Sequence, residues 1–139
     1  MDYRLWALVS AVFAALTAIL AKKGVEGVPT NLALAVRVVV IVVFAVAIAV
    51  ATKETNLGQL SPRNWIFLSL SAVATGASWL CYFRALQLGP VSGVAPIDKL
   101  SFVLAMILGF VVLKEKVTWS LVAGAGLIVS GVLLTLVGR

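Results

Sequence analysis

The sequence predicts an all-α, polytopic membrane protein with five transmembrane helices, and three observations carry that reading. Five long apolar runs account for nearly all of the 139 residues, and each is close to the roughly 20 residues that cross a hydrocarbon core about 30 Å thick. None of the runs alternates in period two, as a membrane barrel strand would, and only helices or closed barrels satisfy a backbone in lipid. The composition, 63% hydrophobic and 12% charged, is one that a soluble domain of this size would not tolerate.

The first predicted helix covers about residues 4–21, an apolar run bracketed by Arg4 and Lys22. It is longer than the roughly 7–15-residue core of a signal peptide. A cut after Ala21 would also have Ile19 at a position that wants a small residue, so the run reads as a retained helix. The second covers about 30–52 and is interrupted only by Arg37. The third covers about 63–88, follows Ser61-Pro62, a pair suited to a helix start, and carries Arg84 near its end. The fourth, about 91–113, carries Pro96, Asp98 and Lys99, and the fifth, about 117–138, has no charge. The loops leave no room for a soluble domain, so residues 1–139 read as a single membrane domain.

The formal charge is +6. The cations sit in short loops and helix ends, where topology signals lie, rather than in a basic tail or an aromatic–basic motif, so nucleic acid is not an expected partner. With an odd number of crossings the termini lie on opposite faces. The N-terminal face collects Arg4, Lys53, Arg63, Lys114 and Lys116, and the other collects Lys22, Lys23, Arg37, Arg84, Lys99 and Arg139. The near balance enforces neither orientation strongly.

Arg37, Arg84, Asp98 and Lys99 all fall in the half of the bilayer opposite the N-terminus. Ionised groups at depth are costly and face partners or a wet cavity. Two readings stand: the three cations snorkel to the interface on long stems, or they line a polar vestibule. Asp98 is too short to snorkel far, which favours the vestibule. The Gly89-Pro90 hairpin puts Arg84 and Asp98 on adjoining helices at comparable depth, as candidate ion-pair partners. In a continuous helix Asp98 and Lys99 point about 100° apart and do not neutralise each other. With Lys22, Lys23 and Glu26 added, the vestibule has an excess of cations, a field that attracts anionic or carboxylate-bearing solutes.

Trp6, Ser10, Phe13 and Thr17 share one face of the first helix, and Thr75, Trp79 and Tyr82 share one face of the third. Aromatic walls with scattered hydroxyls suit a small-molecule pathway, although Trp6 also suits an interfacial anchor. The expected pathway is Ser10, Thr17, Arg37, Trp79, Tyr82, Arg84, Asp98 and Lys99, with Lys22 and Lys23 as vestibule charge. Pro96 removes a backbone bond and frees a carbonyl near Ser92, either as the kink of a gated site or as a packing kink. Gly124, Gly131 and Gly138, with the pair Gly126 and Ser130, form a small-residue seam for helix packing or a dimer contact. With no His and a lone Cys81, neither a metal site, a disulfide nor a cofactor is expected. Asp98 is the only acid inside a run, so the sequence offers no carboxylate dyad or nucleophile–base pair, and no enzyme is expected.

These features together resemble the single-domain, five-helix members of the EamA family in the drug/metabolite transporter superfamily. The resemblance rests on Lys22/Lys23, Arg37, Tyr82-Phe83-Arg84-Ala85-Leu86, Ala95-Pro96-Ile97-Asp98-Lys99-Leu100-Ser101, Leu113-Lys114-Glu115-Lys116 and the Gly124-to-Gly131 spacing. It implies one EamA repeat unit in the cell membrane that carries small metabolites by alternating access. It also implies a second unit of opposite orientation, supplied by an antiparallel homodimer or by a paralogue in a heterodimer. With the vestibule charge, the expectation is a secondary transporter of anionic or zwitterionic solutes. The alternatives are a non-transporting subunit, such as a lipid-carrier flippase partner or an assembly factor, and an exporter like the small multidrug resistance proteins. Those relatives use an acid in their first helix, where this chain has none.

Overall fold

The computed structural model describes residues 2–137, so Gly138 and Arg139 lie outside the described residues. Helix α1 spans Tyr3–Gly24, and the Asp2 carboxylate caps it by accepting the Arg4 amide at 3.1 Å. Lys22 and Lys23 fall in its last turn, where cations complement the helix dipole. Gly27 turns the chain at φ +70, a left-handed conformation that glycine adopts without strain. Helix α2, Thr30–Ala51, follows. It ends in a Schellman pattern: the Lys53 amide donates to Val50 at 3.1 Å and the Glu54 amide to Ala49 at 2.8 Å. Lys53 there takes φ 60, usually a glycine's role.

A short 3-10 turn, Leu57–Gln59, leads to α3, Pro62–Leu88. The Ser61 hydroxyl accepts the Asn64 amide at 3.3 Å, and Pro62 opens the helix where a missing N–H costs nothing. Next come α4, Val91–Asp98, and α5, Leu100–Val112, and then α6, Trp119–Val137. The fourth apolar run is therefore one crossing made of two helices. Pro96 lies inside α4, but the interruption falls at Lys99. There the Lys99 amide donates to Pro96 and the Phe102 amide to Lys99, each at 3.1 Å and only three residues back. A proline lacks its own donor and crowds the turn before it, whereas these three-residue bonds lie after it, where the chain passes through a tight 3-10-like turn.

Five segments among the described residues are long and apolar enough to cross a membrane: α1, α2, α3, α4 with α5, and α6. Their apolar side chains face outward. Helix α2 buries no residue, and Phe44 is 66% exposed. In water such a surface would aggregate, whereas in lipid it is the solvated state. The protein is an all-helical, multi-pass membrane protein with five transmembrane segments.

The chain forms two compact units, the first ending at Gln87 and the second beginning at Leu88. The first buries Ala18, Val25, Phe83 and Leu86. In the second, α6 packs on both α4 and α5, and Gly93, Gly109 and Val132 are buried.

Candidate functional site

The polar chemistry of the first unit gathers at one end, where the α1–α2 loop meets the last turns of α3. Trp79, Phe83 and Gln87 recur every four residues on α3 and so share a stripe. The Arg37 guanidinium, in the second turn of α2, lies over the Trp79 ring at 4.3 Å from its centroid and over Phe83 at 5.3 Å. Phe83 is buried and Arg37 is half-buried. Arg37 has no ion-pair partner among the described residues. A cation over aromatic faces gains about 0.5–2 kcal/mol. The cost of a cation near a membrane helix centre is about 2.5–3.5 kcal/mol on the lower scales. Arg37 is the eighth of the 22 residues of α2, between its end and its centre, so its own cost lies below that and the rings offset a share of it.

Gln87 fixes this end. Its amide nitrogen donates to the Val28 carbonyl at 2.7 Å and the Val25 carbonyl at 3.2 Å, tying the loop to α3. Its oxygen accepts from the Thr30 hydroxyl at 2.7 Å and from Arg84 at 3.2 Å. Lys22 donates to the Leu86 carbonyl at 2.5 Å, a bond from α1 to the end of α3. These bonds satisfy loop and helix-end groups that have no partner within a helix.

A groove of about 530 Å³ runs beside Arg37 and Phe83, lined by residues of α1, the following loop and α2. Its walls are apolar, with Leu20, Leu32 and Val36 among them, and Thr17 and Arg37 supply the only polar side chains. A second hollow of about 540 Å³ is more polar and takes in Thr30, Asn31, Arg84 and Gln87.

The expected pathway residues are placed as follows. Thr17 and Arg37 line the groove, Trp79 lies against Arg37, and Lys22 and Arg84 sit at the same end of the first unit. Ser10 and Lys23 are exposed on α1 and do not line the groove, and Tyr82 is half-buried on α3. The second ring over Arg37 is Phe83 rather than Tyr82. Asp98 and Lys99 belong to the second unit. Contrary to the expectation that they point apart, the Lys99 ammonium lies 3.4 Å from the Asp98 carboxylate. Lys99 keeps an αR backbone at the interruption, and its long stem carries the ammonium across to its neighbour. Lys99 also lies 5.1 Å from the Phe102 ring centroid. Arg84, the expected partner of Asp98, is bonded to Gln87. Pro96 is half-buried in α4. A Cβ added at Gly124 or Gly131 would meet nothing within 4 Å, so neither glycine is at a close approach of backbones.

Phe83 and Gln87 are the residues that reading the sequence missed as functional. Their spacing of four from Trp79 was the available signal. Among the described residues no group of three or more His, Cys, Asp or Glu side chains could hold a metal.

The first unit thus sets a cation flanked by aromatic rings beside an apolar groove. The chain belongs to the EamA-like transporter family, whose model matches residues 3–137. An uncharacterized transporter in the cobO 3' region of Sinorhizobium sp. is 46% identical over 134 residues, which are 96% of this chain and 95% of that protein. A probable 4-amino-4-deoxy-L-arabinose-phosphoundecaprenol flippase subunit, ArnF, of Erwinia tasmaniensis is 41% identical over 75 residues. That match covers 52% of this chain and 58% of its own. No solved structure matches the chain.

Proposed function

We propose that the protein is a secondary transporter of the cell membrane that moves small anionic or zwitterionic metabolites by alternating access, with Arg37 receiving the acidic group of the solute. The observation that carries this reading is the Arg37 guanidinium. It lies in a membrane-spanning helix beside a groove, with aromatic rings over it and no ion-pair partner among the described residues. An anionic solute would regain the part of the charge's cost that the rings leave uncompensated. The working assembly in this reading is an antiparallel homodimer of chains inserted both ways, or a heterodimer with an oppositely oriented paralogue. The near balance of basic residues between the faces supports the homodimer.

The test is solute exchange in proteoliposomes. Organic acids or amino acids should drive counterflow, and Arg37→Gln should abolish it. Exchange of quaternary ammonium ions alone, unaffected by Arg37→Gln, would refute the proposal. Reporters for each compartment, fused after Arg139, should both give signal for the homodimer, and a signal from one compartment only would point to the heterodimer. A second reading, a flippase partner for a lipid carrier, draws on the apolar groove walls and on the partial match to ArnF. Lipid translocation without solute exchange would favour it.

A further inference from the structure

The groove beside Arg37 is chemically one-sided, and that narrows what it can hold. Its one charged lining group among the described residues is the Arg37 guanidinium, over which the Trp79 and Phe83 rings lie, and the rest of the lining is aliphatic or aromatic apart from the Thr17 hydroxyl. No carboxylate lines the groove, so an ammonium on the ligand would find no counter-charge there. A second carboxylate would lie against Leu20, Leu32 or Val36 and lose its water without a partner. The groove's volume, about 530 Å³, falls in the range of small-molecule sites.

From this we infer that the groove binds a hydrophobic monoanion: a single carboxylate on Arg37, carried by a branched aliphatic or aromatic body with no ammonium. The inference rests on the transport reading above and narrows its solute class, removing the zwitterionic half. The acid's two oxygens match the guanidinium fork, while its body replaces lipid or water along the apolar walls. Thr17 can meet one hydroxyl or carbonyl on that body.

Trp79 supplies the probe, because an anion reaching Arg37 arrives next to its indole ring. The full-length protein would be made with Trp6→Phe, Trp65→Phe and Trp119→Phe, leaving Trp79 as the single tryptophan, and placed in phosphatidylcholine nanodiscs. Emission would be titrated with pairs differing only by the amino group: 4-methylpentanoate against leucine, and 3-phenylpropanoate against phenylalanine. Straight-chain acids from butanoate to octanoate extend the series. The deamino acids should bind at least about tenfold more tightly than their amino acids. Each methylene should tighten binding by about three- to fourfold until the groove is full. Arg37→Gln should weaken the acids by about tenfold or more and leave neutral 4-methylpentanamide unchanged, which separates site binding from partition into the bilayer.

If leucine binds as tightly as 4-methylpentanoate in an Arg37-dependent way, the narrowing is overturned and the broader transport reading stands. If no acid or amino acid gives an Arg37-dependent response, both fall. Adding phosphatidylglycerol to the nanodiscs should not change the affinities. If that lipid alone shifts Trp79 emission through Arg37 and abolishes the response to free acids, the occupant is a lipid headgroup and the inference is overturned.

Discussion

In the first unit, Gln87 makes four hydrogen bonds to loop and helix ends, and Trp79 and Phe83 hold a cation on a neighbouring helix. In the second, α6 packs on α4 and α5, two glycines and one valine are buried, and the one ion pair among the described residues is formed by adjacent residues at a helix interruption. Directional side-chain bonds accumulate where a charge must be kept in one position. The first unit thus fixes a cation through side-chain contacts, and the second contains a helix interruption at Lys99.

The contrast predicts unequal responses to truncation. Phe83→Ala should destabilise the protein by about 3–5 kcal/mol, since it empties a buried site and uncovers Arg37. Val132→Ala, in the second unit, should cost about 2 kcal/mol. Denaturant titration in mixed micelles measures both, and equal losses would break the contrast. Gln87→Ala should come next, at about 2 kcal/mol, because it leaves two loop carbonyls, the Thr30 hydroxyl and Arg84 without their partner.

The ion pair should matter less. The Asp98 and Lys99 side chains are 37% and 42% exposed, so their coupling in a double-mutant cycle of Asp98→Asn and Lys99→Gln should stay below about 1 kcal/mol. A larger coupling between Asp98 and Arg84 in the parallel cycle would show that the charges pair differently from the arrangement described. The smallest effects should be alike in both units. Lys53 and Lys114 adopt left-handed backbones at φ 60 and φ 56, each just past a helix end. Replacing either with glycine should raise stability by about 1 kcal/mol through relief of strain. A gain at only one position would mean that its lysine side chain makes a compensating contact.

Much of the fold was legible because lipid imposes a simple rule: apolar runs of sufficient length become helices. The Ser61-Pro62 start of α3 was readable from local chemistry for a similar reason. The interruption at Lys99 was not, since a proline acts on the turn before it and this break follows it. The Asp98–Lys99 pair is not legible either, because the angle between neighbours says nothing of how far a long lysine stem reaches. Arg37 stood out as a charge inside an apolar run. Its second ring could not be chosen from sequence, as Tyr82 and Phe83 both lie one turn from Trp79, and the position of α2 decides between them. Gln87 looked like an ordinary polar helix end, and its role depends on where the α1–α2 loop comes to rest.

The central claim is that Arg37 is the anion-receiving group, and initial rates of acid uptake into proteoliposomes test it most directly. Wild type would be compared with Arg37→Gln, Arg37→Lys and Asp98→Asn at matched levels of folded protein. Uptake should fall by about tenfold or more for Arg37→Gln. Arg37→Lys should show a partial loss, since it keeps the charge but not the planar fork. Asp98→Asn should stay within about threefold of wild type. Wild-type uptake by folded Arg37→Gln, or a greater loss from Asp98→Asn than from Arg37→Gln, would contradict it.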